Sequence, residues 1–75
     1  MSPDQLVAQI FGLRLSQVTD TTSNQNIAEW DSLGHVTLIM EVESHYGVSF
    51  SAEEALTLTS VGALKRTLVE LGIAW

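Results

Sequence analysis

Apolar residues recur three and four positions apart in three stretches of the chain, which is the spacing of one face of an α-helix. The first predicted helix spans Pro3–Phe11, with Ser2 as its N-cap and Gln5 completing a capping box. The second spans Ser32–Tyr46 and the third Val61–Leu71. A glycine follows each stretch, and glycine is the residue that most often ends a helix. The pattern therefore predicts three main helices.

A fourth, shorter helix is predicted before the last one. Ser51 and Glu54 have the spacing of a capping box, and Phe50 is placed to pack against Ala55. Because Ser60 is suited to cap the next helix, this one is limited to about two turns. No convincing strand pattern is present. The expected fold is all-α, a small four-helix bundle with a short third helix.

A long polar segment, residues 13–30, separates the first two main helices. A loop of this length in so small a domain is unusual unless it is functional or held against the core. Four aliphatic residues interrupt the polar run and suggest that it is pinned: Leu13, Leu15, Val18 and Ile27. With no repeat and no internal linker, residues 1–75 are expected to form a single domain.

The second helix carries more apolar surface than one core can cover. At about 100° per residue its apolar side chains span roughly 220°, about twice the usual stripe, and Glu43 divides the arc. The group expected to face the core is Leu38, Ile39, Val42 and Tyr46. The other group is Leu33, Val36 and Met40. Either this group is an exposed binding patch, or the long loop covers it with Trp30 or Ile27 as the lid. Val36 is the member more expected to be covered.

Composition excludes several classes of function. The net charge is −6, and the three basic residues, Arg14, Lys65 and Arg66, cannot form the stripe that nucleic acid requires. An anionic membrane is disfavoured for the same reason, whereas partners with basic patches are favoured. There is no cysteine, so any thiol chemistry needs a thiol from outside. No membrane-spanning run or signal-peptide layout is visible, and a soluble, cytoplasmic, monomeric domain is expected.

Ser32 stands at the start of the second helix, where backbone N–H groups are free and the helix dipole is positive. A phosphate esterified to this serine would be favoured electrostatically. Asp31 is suited to cap the helix and could also help to hold a divalent cation for a phosphoryl donor. Taken alone, Asp31-Ser32-Leu33 favours simple capping over attachment, because Asp-Ser-Leu opens helices in many proteins by chance.

Taken together, these features resemble the acyl carrier protein family. Asp31-Ser32-Leu33 matches the attachment motif of that family, and the likeness runs from the first helix to about Leu71 through Gly47-Val48-Ser49-Phe50 and Thr59-Ser60-Val61. The resemblance implies that a phosphopantetheinyl transferase esterifies Ser32 with 4′-phosphopantetheine from coenzyme A. The thiol of that arm would carry an acyl group as a thioester to acyl-loading and acyl-processing enzymes.

The resemblance also implies further site residues. Leu33 and Met40 match positions that contact partner enzymes, and Glu43 and Glu53 match acidic docking positions. Four apolar residues are candidates for lining a space that shelters the acyl chain, with a plain core role as the alternative: Val36, Ile39, Leu58 and Val61.

Gly34 and His35 depart from the commoner pattern, in which an acid follows the serine at the second position. Gly34 lowers helix stability by about 1 kcal/mol relative to Ala, and it could leave room for a partner's backbone. The departure favours a specialised stand-alone carrier, for example in secondary metabolism, over a housekeeping fatty-acid carrier.

Rival interpretations use the same residues. Ser32, His35 and Asp31 could form a hydrolase triad, but an exposed helix in so short a chain offers no oxyanion hole or water-excluding pocket. His35 and His45 point to different sides of the helix and are read as solvated. The span from Asp20 to Asp31 matches a calcium loop poorly. A helical interaction module without a prosthetic group and an aminoacyl or peptidyl carrier of the same fold are the remaining alternatives.

Overall fold

The computed structural model describes residues 1–75 and is all-α. Four α-helices follow one another, α1 (Pro3–Phe11), α2 (Ser32–Tyr46), α3 (Ala52–Thr57) and α4 (Val61–Glu70), with a 3-10 turn at Leu15–Gln17. The only bridge between extended residues is an isolated one that joins Ser23 to Ser60. None of the helices has the length and apolarity that crossing a membrane would need. The prediction of three main helices and one short helix is confirmed.

Each α-helix begins at the predicted N-cap. The cap side chains of Ser2, Asp31, Ser51 and Ser60 each accept a hydrogen bond from the N–H group three residues further on. At Ser2 and Ser51 the reciprocal bond of a capping box is also present. Gly12 and Gly47 end α1 and α2 in the left-handed conformation, with φ of 67° at both. Local sequence thus determines where these helices begin and where α1 and α2 end.

The core lies where one face of each main helix meets the others. Its buried members are Leu6, Val7, Ala8, Phe11, Val18, Trp30, Leu38, Val42, Leu58, Val61, Leu64 and Leu68. On α2, Leu38 and Val42 are fully buried, and Ile39 and Tyr46 pack against the cluster while half-buried. The predicted core face of α2 is therefore confirmed.

The second apolar group of α2 is exposed. The exposed fractions are 76% for Leu33, 53% for Val36 and 63% for Met40. The expectation that the loop covers Val36 is wrong, because the proposed lid points elsewhere: Trp30 is 1% exposed and stacks on Phe11 with ring centroids 5.2 Å apart. An apolar edge therefore remains open beside Ser32.

Backbone hydrogen bonds hold the long loop against the start of α4. The N–H of Val61 donates to the carbonyl of Thr22 and the N–H of Gly62 to that of Asp20, both at 2.9 Å. These are N–H groups that a helix start leaves without partners, so the loop satisfies them. Val18 is buried and Leu13 and Ile27 pack on the core, as predicted.

Leu15 does not hold the loop against the core, as the sequence predicted it would. It begins the surface 3-10 turn and is 52% exposed, so it does not anchor the loop. Thr22, which apolar periodicity could not reveal, is 4% exposed and accepts a hydrogen bond from the N–H of Thr19.

A single lysine joins three segments. The Lys65 ammonium on α4 lies 2.8 Å from Oδ1 of Asp20 in the loop and 3.0 Å from Oδ1 of Asp4 on α1. Hydrogen bonds, first to Asp20 and second to Asp4, raise the pKa of Lys65 above its usual value.

Tyr46 makes a similar long-range contact near the start of the chain. Its hydroxyl donates to the carbonyl of Met1 at 2.8 Å. Partial burial, followed by the charge of Asp4, raises the pKa of Tyr46.

Gly34 is required by the way the chain enters α2. A methyl group at this position would overlap the backbone carbonyl oxygen of Glu29 and would lie 3.0 Å from the Phe11 ring. The space that the sequence suggested for a partner's backbone is therefore taken by the protein's own backbone. The segment before Ser32 packs directly on the first turn of α2.

The raised pKa values of Lys65 and Tyr46 predict a loss of stability at alkaline pH. The chain has one lysine and one tyrosine, and both pKa values are higher in the folded protein than in the unfolded chain. The unfolded chain therefore releases these protons first, and the free energy of unfolding should hold below about pH 10 and fall as pH rises through the folded-state values. Urea unfolding between about pH 8 and 11.5 measures this fall. Lys65→Met and Tyr46→Phe should each reduce the slope, and an unchanged slope in the double variant would contradict the assignment.

The packing at Gly34 predicts that Gly34→Ala destabilises the fold. Helix propensity alone would favour alanine by about 1 kcal/mol, but overlap with the Glu29 carbonyl should cost more, for a net loss of about 1–3 kcal/mol. Chemical denaturation measures the difference. Ser44→Ala is the control, because Ser44 is exposed on α2 and its replacement should change stability by no more than about 0.5 kcal/mol. A stabilised Gly34→Ala protein would show that the backbone packing is loose.

Candidate functional site

Ser32 is the first residue of α2, and its side chain is exposed. The preceding Asp31 accepts the N–H of Gly34 on its side-chain Oδ1 and the N–H of His35 on its carbonyl oxygen, both at 2.8 Å. The N–H groups of Ser32 and Leu33 have no partner in the protein. Ser32 therefore combines an exposed hydroxyl with two free backbone donors at the positive end of a helix, a setting that suits a phosphate ester.

A cavity of about 520 Å³ opens beside Ser32, between the loop, α2 and the end of α3. It is lined by Asn24, Trp30, Asp31, Ser32, His35, Val36, Leu56 and Thr59. A second, almost entirely apolar groove of about 270 Å³ separates α2 from α3. His35, Val36 and Leu56 line both spaces. The two spaces therefore adjoin, and together they outline a mainly apolar path from Ser32 toward the cleft between the two helices.

Only two of the four predicted acyl-lining residues lie on this path. Val36 and Ile39 line the groove, together with Met40 from α2 and the α3 residues Ala52, Ala55 and Leu56. Leu58 and Val61 are 1% and 0% exposed and line neither space. Leu58 and Val61 thus have the alternative role, that of core residues.

The open apolar edge is larger than the sequence indicated. Leu56 on α3 is 74% exposed and lies across the groove from Val36 and Met40. Sequence reasoning missed it, although a leucine in a helix with too few apolar positions to form a stripe is a sign of surface exposure. Leu33, Val36, Met40 and Leu56 are called the apolar edge below.

The two predicted docking acids have different surroundings. Glu53 lies on the first turn of α3, is exposed and makes no hydrogen bond or ion pair through its side chain. Glu43 is half-buried, and its Oε2 accepts the N–H of Phe50 at 2.8 Å. This contact, which was not predicted from the sequence, holds the segment between α2 and α3 against α2. Glu53 is the freer of the two charges.

His35 is not a solvated side chain, so that expectation is wrong. The indole N–H of Trp30 donates to its Nδ1 at 3.0 Å, and its Nε2 lies 2.7 Å from the carbonyl oxygen of Ala55. An indole nitrogen can only donate, so Nδ1 accepts and Nε2 carries the proton that is donated to Ala55. A buried tryptophan five residues before a histidine was the available signal, because buried indole N–H groups need an acceptor. His45, by contrast, is exposed.

These contacts argue against the hydrolase alternative. A triad histidine must accept the serine proton on one ring nitrogen and donate to an acid with the other. In His35 the two nitrogens face Trp30 and Ala55 instead. Asp31 is engaged as the helix cap. Nowhere in the chain do three or more potential metal-ligating side chains converge.

Comparison with known proteins agrees with this geometry. A family model described as "Phosphopantetheine attachment site" matches residues 4–68. The acyl carrier protein of Rubrobacter xylanophilus is 39% identical over 57 residues, which cover 76% of this chain and 70% of that protein. The residues that the family model matches include nearly all of α1, the loop, Ser32 and most of α4. The chain therefore belongs to the acyl carrier protein family, whose members carry a covalently attached 4′-phosphopantetheine.

Proposed function

We propose that Ser32 is the attachment residue and that the chain, as a single domain, presents acyl groups to partner enzymes without catalysing a reaction itself. The observation that carries the proposal is the position of the Ser32 hydroxyl. It is exposed, it lies beside two unpaired backbone N–H groups, and it stands at the mouth of an apolar path. Once attached, the prosthetic group supplies the thiol that this cysteine-free chain lacks.

Asp31 would assist attachment in two ways. Its Oδ1 accepts the N–H of Gly34, which fixes the helix start, while Oδ2 makes no hydrogen bond within the protein. That free oxygen is available to a Mg²⁺ ion arriving with coenzyme A. The Ser32 oxygen would bond to phosphorus as the pyrophosphate bond of coenzyme A breaks, and adenosine 3′,5′-bisphosphate would leave. The hydroxyl proton would pass to a base on the phosphopantetheinyl transferase.

The groove between α2 and α3 is proposed as the shelter for the acyl chain. Its walls are apolar apart from His35, and it joins the cavity at Ser32. An alkyl chain entering it would leave water and gain the usual burial energy of about 0.8 kcal/mol per methylene. Val36 and Ile39 would contact the chain from α2, and Leu56 from α3.

Partner enzymes are proposed to dock on the apolar edge around Ser32. Four exposed apolar side chains on two adjacent helices are more than scattered surface residues, and such patches mark interaction sites. Glu53 adds an unpaired negative charge, and the net charge of −6 favours partners with basic surfaces. Sequential use of one arm by several enzymes requires such docking to be weak and reversible.

Loading by coenzyme A tests the attachment residue. Incubation of the apo protein with coenzyme A, Mg²⁺ and a broad-specificity phosphopantetheinyl transferase should add the mass of one phosphopantetheinyl group, measured by intact mass spectrometry. Ser32→Ala should gain nothing, whereas Ser44→Ala, which removes an exposed serine on the same helix, should be loaded like the wild type. Loading of Ser32→Ala, or none of the wild type, would refute the proposal.

Replacement of Met40 tests the docking surface. Met40→Ala removes a side chain that is 63% exposed, so thermal stability should hardly change. The kcat/KM of loading should nevertheless fall at least about fivefold, which corresponds to roughly 1 kcal/mol of lost binding. Val69→Ala is the matched control, because Val69 is 62% exposed on α4. If the two variants load equally fast, the apolar edge is not the docking site.

A further inference from the structure

His35 connects the attachment residue to α3. It lies one turn after Ser32 on α2, lines both the cavity and the groove, and donates from Nε2 to the carbonyl of Ala55 in α3. Its other nitrogen accepts from Trp30, which is 1% exposed and stacks on Phe11 of α1. Through one ring, α3 is thus tied to a buried anchor of the core.

Little else holds α3 in place. The helix has six residues and none of them is buried. The bond from His35 to Ala55 is the only hydrogen bond that joins α3 to another helix. Before the helix, Glu43 binds the N–H of Phe50, and after it Leu58 is buried. The middle of α3, which forms one wall of the groove, depends on His35.

The arrangement uses both ring nitrogens of His35. Nδ1 accepts from the Trp30 indole while Nε2 donates to the carbonyl of Ala55. Without the ring, the buried indole would lose its acceptor, which is costly, and α3 would lose its bond to α2.

We propose that His35 is a positioning residue that holds α3 against α2 and so sets the width of the acyl groove. The acyl role of the groove rests on the proposed function; the hold on α3 does not.

Amide hydrogen exchange of the unloaded protein at one neutral pH tests the hold on α3. His35→Phe keeps a ring and loses both bonds, so protection in α3 should fall at least about tenfold relative to the wild type, while α1 and α4 stay protected. His35→Gln retains a donor for Ala55 and should keep more of the α3 protection than His35→Phe does. His45→Gln, at the exposed histidine, should behave like the wild type.

The indole N–H signal of Trp30 provides a second readout, with exposed Trp75 as the internal control. In His35→Phe the Trp30 indole should lose protection from solvent exchange at least about tenfold at the same pH, and that of Trp75 should not change. Equal α3 protection in the wild type and His35→Phe would overturn the proposal. If His35→Phe unfolds altogether, His35→Asn decides, because it keeps an acceptor near the position of Nδ1 but is too short to reach Ala55: α3 alone should then lose protection.

Thioester hydrolysis separates this inference from the proposed function. At pH 8 an octanoyl thioester on the wild-type carrier should hydrolyse at least about threefold more slowly than an acetyl thioester, and His35→Phe should abolish the difference. If the wild type shows no difference, the groove does not shelter acyl chains, and the exchange experiment still judges the hold on α3. If the difference persists in His35→Phe, His35 does not set the groove.

Discussion

The burial of Trp30 is the interaction on which the site depends. Its ring lies between Phe11 of α1 and His35 of α2, with centroid distances of 5.2 and 6.4 Å. Its one polar atom is satisfied by His35. Asp31 and Ser32 follow directly, so the chain passes from a fully buried residue to an exposed one within two positions. Ser32 is therefore both accessible to an enzyme and fixed relative to the core.

The same constraint explains the close packing around the start of α2. With Trp30 held inside, the carbonyl of Glu29 is pressed against the first turn, and only glycine fits at position 34. Earlier in the loop, the carbonyl groups of Asp20 and Thr22 accept hydrogen bonds from the first N–H groups of α4. Lys65 also joins Asp20 of the loop to Asp4 of α1. Apart from the 3-10 turn at Leu15–Gln17, the loop thus needs no helix or strand of its own, because α4, Lys65 and bonds within the loop satisfy many of its polar groups.

Local signals predicted the helices well, and contacts between distant residues were the part that sequence could not supply. The caps at Ser2 and Ser51 are recognised from residues three apart, and their boundaries were correct. The exposure of Val36 depends instead on where Trp30 points, and the role of Glu43 depends on a backbone group seven residues away. Periodicity placed Val36 and Glu43 on the helix surface but could not say what faces them.

Contacts with other parts of the chain also explain Gly34 and His35, the two departures from the commoner family pattern. The sequence alone suggested room for a partner's backbone at Gly34 and a solvated side chain at His35. In the structure the Glu29 carbonyl occupies the space at Gly34, and His35 bonds to Trp30 and to α3. No acid lies in the first turn of α2, and the freest charge nearby is Glu53 on α3. A partner approaching Ser32 therefore meets mainly the apolar edge. The identity of the cognate enzymes should depend on the shape that Leu33, Met40 and Leu56 present, with electrostatic attraction coming from the net charge of the whole domain.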